Sequence, residues 1–310
     1  MTNPDSKRAI VAAFFANIGI AVLKFVAYVF TGSSSMLSES IHSLADTGNQ
    51  GLLLLGRRRS DRPADERHPF GYGPVRYFYA FIVAFVLFTL GGIFSMFEGI
   101  EKLRSPHSVD AVGWAVAVLL GAIVLESFSL RTAMHEANQV RPEHEGWWRF
   151  IRRTKSPDLP VVLLEDTAAL VGLSIALVGV ALAGITGNAR WDGLGSLAIG
   201  VVLVLVAILL VIEMGSLLVG ESARPEDVAR IEAVVERFPL VRRCIHLRTE
   251  HLGPDEIVVA LKAEFDHDLS IEQLAVAIDR LEAAIRAVEP RATLIFVEPD
   301  VYREPVENTD

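Results

Sequence analysis

The sequence predicts an α-helical membrane protein, a six-helix transmembrane bundle followed by a small α+β domain. Three observations carry this. Of the 310 residues, 51% are hydrophobic, and the mean hydropathy of +0.39 is one that soluble domains of this length rarely reach. Six apolar segments are each long enough to cross a bilayer core, which takes about 20 helical residues. The charge is also unevenly placed. Residues 1–219 hold 18 Lys+Arg against 18 Asp+Glu, whereas residues 220–310 hold 11 against 20, so the whole net charge of −9 lies in the tail. The expected domains are therefore 1–219, in the membrane, and 220–310, a soluble acidic domain. An acidic tail argues against a nucleic-acid partner. With one cysteine, Cys244, neither a disulfide framework nor a cysteine-based zinc cluster can form within the chain.

The first span, roughly 9–30, follows the short polar start "MTNPDSKR" with no small-residue cleavage site behind it, and reads as a retained helix rather than a signal peptide. The second, 33–56, is the least apolar, because it contains "SESIHSLADTGNQ"; "GLLLLGRRR" closes it with arginines at the interface. The third, 77–100, ends at Glu98, and the fourth, 110–134, carries Glu126. The fifth, 160–185, opens "PVVLLEDTAALVG", and the sixth, 193–219, follows Asp192 and is the cleanest apolar run. Asn17 and Lys24 of the first span, with Glu98, Glu126 and Asp192, read as structural polar groups, Lys24 pairing with a carboxylate or snorkelling. Arg57, Arg58, Arg59, Arg62, Arg67 and Arg76 lie between spans two and three, and Arg141, Arg149, Arg152, Arg153 and Lys155 between four and five. The opposite side has only Lys102, Arg104 and Arg190, so both termini are expected in the cytoplasm of a multi-pass cell-membrane protein.

The tail alternates between two periodicities. "RPEDVARIEAVVERF" has helical spacing, "CIHLRTEHLG" and "EIVVALKAEF" alternate as strands, and "SIEQLAVAIDRLEAAIRAV" is a helix with Ser270 as its N-cap. "ATLIFVEP" closes an αββαβ, ferredoxin-like order, a sheet covered by helices on one face. So small a domain is marginal alone and gains from pairing with a second copy.

The second span holds the chemistry. At 100° per residue, Glu39, His42, Asp46 and Asn49 fall within an arc of about 80° on one helix face. His42 and Asp46, at i and i+4, can aim two donor atoms at one point. Ionisable groups at the bilayer centre are costly and need a partner or a role. They serve either as hydrogen-bonding glue between helices or as a cation site. The spacing favours the cation. In span five, Glu165 and Asp166 point about 100° apart, so one is expected to face the same site and the other to cap the helix start. Imidazole with carboxylates and no thiolate suits zinc or manganese, and also iron or cobalt. Protons compete with metal for such donors, so the site can exchange one for the other.

The pieces "SSSMLSESIHSLADTGNQGLLLLG", "HPFGYGPVRYFYA", "LLEDTAALVG" and "HLRTEHLGPDEIVVALKAEFDHDLSIEQ" resemble the cation diffusion facilitator family of metal–proton antiporters, with "HSLADTGNQGLL" and "LLEDTAA" closest to the branch of the mitochondrial zinc transporters. The resemblance implies a homodimer in the lipid bilayer with six spans per chain, carrying metal ions against protons by alternating access. It implies His42, Asp46 and Asp166 as ligands of the transported metal, zinc first, with manganese, iron or cobalt as alternatives. The family's span-five histidine falls at Val162, which leaves Glu165, Asn49, Glu39 or water to complete the shell. In the loop, His68 remains while Tyr72 replaces a second histidine. In the tail, the family's zinc-binding positions read Ile245, Lys262 and Phe296, leaving Glu298, with His246, His251, Asp266, His267 and Asp268 nearby. No HExxH occurs, so an enzyme is not expected. A non-transporting membrane metal receptor or scaffold is the alternative class.

Overall fold

The computed structural model describes residues 4–106 and 111–304, the side chains of residues 4–17 and of residue 88 apart. Asn17 is among those side chains and lies outside the described residues. The chain divides into two compact units, residues 1–59 with 75–215, and residues 60–74 with 216–310.

The first unit is helical throughout: α1 (Pro4–Thr31), α2 (Ser34–Ser60), α3 (Pro74–Val86), a π-helical turn (Leu87–Ile93), α4 (Phe94–Arg104), α5 (Val112–Val140), α6 (Trp147–Arg153), α7 (Asp158–Thr186) and α8 (Arg190–Val219). Among the described residues four continuous helices are long and apolar enough to cross a membrane: Pro74–Arg104, Val112–Val140, Asp158–Thr186 and Arg190–Val219. A shorter apolar stretch, Ile18–Thr31, is part of α1. Helix α2 has the length of a span, 27 residues, but its polar face keeps it from qualifying on composition. The short helix α6 was not anticipated from sequence. Its Phe150 is fully buried against Ala133, Ala137 and Leu163, which ties the loop before α7 to α5.

Two devices place α2. The first is a cap supplied from far along the chain. Asp192, fully buried at the start of α8, accepts from the backbone N–H of Ser34 at 2.8 Å and of Ser35 at 3.3 Å, and from the hydroxyl of Ser33 at 2.8 Å. A helix start has orphan N–H donors and a positive dipole end, and a carboxylate answers both. Lys102 adds its ammonium 3.9 Å from Asp192 and donates to the carbonyl of Gly32 at 2.8 Å. The second device is a small-residue seam between the third span and α8. A Cβ on Gly99 would lie 2.5 Å from the Leu197 nitrogen, and one on Gly200 would lie 2.7 Å from the Met96 nitrogen. Only glycine lets the backbones meet there, and close approach is how helices gain dispersion energy in lipid. The fully buried hydroxyls of Ser38 on α2 and Ser196 on α8 meet at 2.6 Å, linking the seam to the polar helix.

The second unit has the order α9 (Pro225–Glu236), β1 (Val241–Gly253), β2 (Glu256–Phe265), α10 (Ile271–Val288) and β3 (Ala292–Pro299). The sheet order is β1-β2-β3, with β1 and β2 antiparallel and β2 and β3 parallel. A parallel pair needs a crossover, and α10 supplies it. Its buried Ala277, Leu281 and Ile285 recur every four residues and pack with Ile231 and Val235 of α9 on Ile257, Val259 and Leu261. Helix α10 opens with a capping box: the Gln273 N–H donates to Ser270 Oγ at 3.2 Å and the Ser270 N–H to Gln273 Oε1 at 2.8 Å. The 60–74 loop belongs to this unit. Gly73 lies so close to β1 that a Cβ would come within 2.3 Å of the Leu252 carbonyl oxygen.

Candidate metal site

His42 and Asp46 sit one turn apart on α2 with Nδ1 and Oδ1 3.4 Å from each other. Neither ring nitrogen of His42 has a hydrogen-bond partner, nor has Asp46 Oδ1, although the His42 side chain is only 1% exposed. Buried polar atoms are nearly always paired, so a run of orphans on one helix face marks donors kept for something else. Asn49, on the same face, uses its amide N–H to reach Glu165 Oε1 at 2.6 Å and leaves its own Oδ1 without a partner.

Asp46, Glu126, Glu165 and Asp166 line one cavity with Ile20, Ser43, Gln50 and Ser129. Its volume of about 20 Å³ is room for one water-sized body. Both acids of α7 therefore line the same space, where only one was expected. Helix α7 begins at Asp158, so neither acid caps its start. Two side chains 100° apart both serve because their partners lie on different neighbours: Glu165 reaches Asn49 of α2, while Asp166 accepts from Ser129 Oγ of α5 at 3.0 Å. An amide and a hydroxyl orient these carboxylates without cancelling their charge.

Glu39 is placed differently. Its Oε2 receives the Lys24 ammonium at 3.1 Å, and Lys24 also donates to Ser43 Oγ at 2.7 Å. Glu39, fully buried, is thus an ion-pair partner and is not among the residues lining the cavity. The π-helical turn borders the His42 ring, since a Cβ on Gly91 would lie 3.8 Å from its Nδ1. Val162 faces a second, larger cleft of about 390 Å³, lined also by Arg57, Arg76, Glu136 and Asp158. Ser129 lines both spaces. Glu126, read from the sequence as a structural polar group, and Ser129, not singled out there, both line this cavity. The available signal was an acid and a hydroxyl three residues apart, hence on one face, in the middle of an apolar span.

Several of the accessory candidates are engaged elsewhere. In the loop, Asp65 accepts from the Tyr72 hydroxyl at 2.7 Å and from the His68 N–H at 2.7 Å, and the rings of His68 and Tyr72 lie 4.3 Å apart. The Tyr72 hydrogen bond and that backbone N–H hold the Asp65 carboxyl below the usual carboxylate range. This is a turn packed on its own side chains. In the tail, the Lys262 ammonium lies 3.0 Å from Glu298 and 2.9 Å from Asp300, so a resident cation already serves those acids. Asp266 pairs with Arg242 at 2.8 Å, and His251 Nδ1 lies 3.0 Å from the Gly253 carbonyl. Among the described residues no three His, Cys, Asp or Glu side chains stand close enough together to clasp an ion.

Two family models match the chain: the cation efflux transmembrane domain over residues 10–219, and the cytoplasmic domain of cation efflux proteins over residues 223–300. The mitochondrial proton-coupled zinc antiporter of Homo sapiens is 36% identical over 280 residues, covering 86% of this chain and 49% of that protein. Metal tolerance protein C4 of Arabidopsis thaliana is 29% identical over 86% of this chain and 58% of its own length. The cation-efflux pump of Klebsiella pneumoniae is 28% identical over 93% of this chain and 91% of its own. The chain spans about half the length of the animal zinc antiporters it matches. With a helical unit matched over 210 residues and an α+β tail matched by the family's dimerisation domain, the chain belongs to the cation efflux, or cation diffusion facilitator, family of multi-pass membrane proteins.

Proposed function

We propose that this chain is a carrier, not an enzyme, that moves a divalent metal cation, zinc first, across a membrane in exchange for protons. The observation that carries the reading is the set of orphaned donors on α2, His42 and Asp46 Oδ1, beside a cavity walled by carboxylates. Zinc stands first because relatives 36% identical are zinc antiporters; the donor set also accepts manganese, iron or cobalt. The two units correspond to a six-span transport domain and a tail that pairs two chains into a homodimer. By loop charge the termini face the cytoplasm, and the membrane is that of the cell.

On this reading each residue has a task. The cation enters through the wide cleft, where Glu136 attracts it, Asp158 being already paired with Arg76, and Ser129, which lines both spaces, marks the passage inward. Asp46 and Asp166 exchange its hydration shell for carboxylate oxygens, and His42 adds an imidazole nitrogen. Asn49 and Ser129 keep Glu165 and Asp166 aimed while the ion is absent. When the helices rock to open the other side, protons on the same donors replace the metal. Transport needs this competition, since a site equally tight in both states releases nothing.

The test is zinc flux into vesicles holding the purified protein under an imposed proton gradient. Gradient-driven uptake that disappears in Asp46→Ala and Asp166→Ala is the expected result. Folded wild-type protein that moves no metal under any gradient would sink the proposal in favour of a receptor or scaffold.

A further inference from the structure

Glu126 is the midpoint of α5, the fifteenth of 29 residues in a helix apolar enough to cross a membrane. A carboxylate there is costly, and lipid-facing positions do not keep one without a reason. It lines the cavity shared by Asp46, Glu165 and Asp166, and among the described residues that wall includes no lysine or arginine. Three residues on, Ser129 lies on the same face and hydrogen-bonds Asp166, which fixes this side of α5 toward α7.

The donors already described lie on two helices, and Glu126 adds a third. Helix α2 offers His42 and Asp46, and α7 offers Asp166. Glu165, turned toward α2 by the Asn49 amide, lines the same cavity from α7, while Glu39 is engaged by the Lys24 ammonium. Zinc takes four ligands in a closed shell. A second observation points to a ligand independently of the acids: both nitrogens of the buried His42 ring lack hydrogen bonds, and the ring lies 3.4 Å from the cavity-lining Asp46. Resting on the reading of this cavity as the transport site, we propose that Glu126 is a metal-binding carboxylate that brings the fourth span into the coordination shell. The shell then draws on three helices, α2, α5 and α7, so that closing on the ion pulls α5 toward α2 as well as toward α7.

The experiment is equilibrium binding of zinc and manganese to the full-length protein in detergent, comparing wild type with Glu126→Gln, Glu126→His and Asp46→Ala, each checked for native elution and helicity. Glu126→Gln is expected to weaken zinc binding at least about tenfold. Glu126→His, which puts an imidazole where the carboxylate was, is expected to retain zinc and raise its preference over manganese, because imidazole favours zinc and carboxylate favours manganese. A purely structural role for Glu126 gives no such exchange of preference. If Glu126→Gln binds as wild type does while Asp46→Ala loses zinc, the inference is overturned and the antiporter reading stands. An unmoved preference in Glu126→His overturns it equally. Wild type that binds neither metal removes the antiporter reading itself.

Discussion

Both units bury acids, and they treat them in opposite ways. In the tail, Asp227 and Glu289 are 5% and 2% exposed, and arginine answers each: Arg291 reaches Asp227 at 2.6 Å and Glu289 at 2.7 Å, and Arg230 reaches Glu289 at 3.1 Å. In the helical unit, Glu165 and Asp166 are nearly as buried, at 4% and 7%, yet the groups that hold them are an amide and a hydroxyl. A guanidinium beside a carboxylate cancels its charge and fixes it, which suits a permanent fold. A neutral donor fixes the direction alone, leaving the charge for a visitor. The Lys24–Glu39 pair shows that the helical unit can also build the first kind, within one turn of His42.

That contrast can be broken at either end. The largest effect is expected from Asp46→Asn, which should reduce zinc flux to the level of protein-free vesicles while thermal stability in detergent holds or rises, since a buried uncancelled charge has been removed. A large fall in stability would put Asp46 with the structural acids. Next comes Lys24→Ala. Both partners of this pair are almost wholly buried, so stranding Glu39 should cost about 3–5 kcal/mol, read as a lowered melting temperature. Glu39→Gln in the same background should recover much of it.

Arg291→Ala tests the tail, with a smaller expected loss of about 2–3 kcal/mol, because Arg291 is partly exposed and Arg230 still reaches Glu289. Hydrogen exchange on the amides of β2 and β3 in the full chain would report it. The smallest effect is in pH. Arg291 holds the Glu289 carboxyl below its ordinary value. A depressed folded pKa gives stability that is fully present above the unfolded value of about 4.3 and is lost as pH falls through the folded one. Protection of the sheet amides should therefore weaken on acidification below about pH 4.3, and Arg291→Ala should flatten that slope. An unchanged slope would mean that the arginine does not set the acid response.

Much of this was legible in the sequence, for reasons particular residues make plain. The tail's order followed from period-two and period-3.6 patterns, and the N-cap Ser270 announced α10. His42 and Asp46 stood out because an imidazole and a carboxylate at i and i+4 have few uses inside an apolar segment. Glu126 was harder to place, since a lone acid on an otherwise apolar helix has no local partner to name its direction; only the packing of α5 against α7 turns it inward. Glu165 and Asp166 were misjudged for a similar reason. Helical geometry gives the angle between adjacent side chains but not the number of neighbouring helices waiting to receive them. Glu39 shared a face with His42, yet its partner, Lys24, lies 15 residues back on another helix.

The cap on α2 has a consequence for how the molecule is made. Its first amides are satisfied by Asp192, 157 and 158 residues further along the chain. Translation proceeds at about 5–20 residues per second, so roughly 8–30 s separate the emergence of the helix start from that of the carboxylate that completes it. During that interval the most polar of the helices is also the one with an unfinished end. It settles only when the last span arrives, which makes insertion of α8 the step that commits the nascent chain to a finished site.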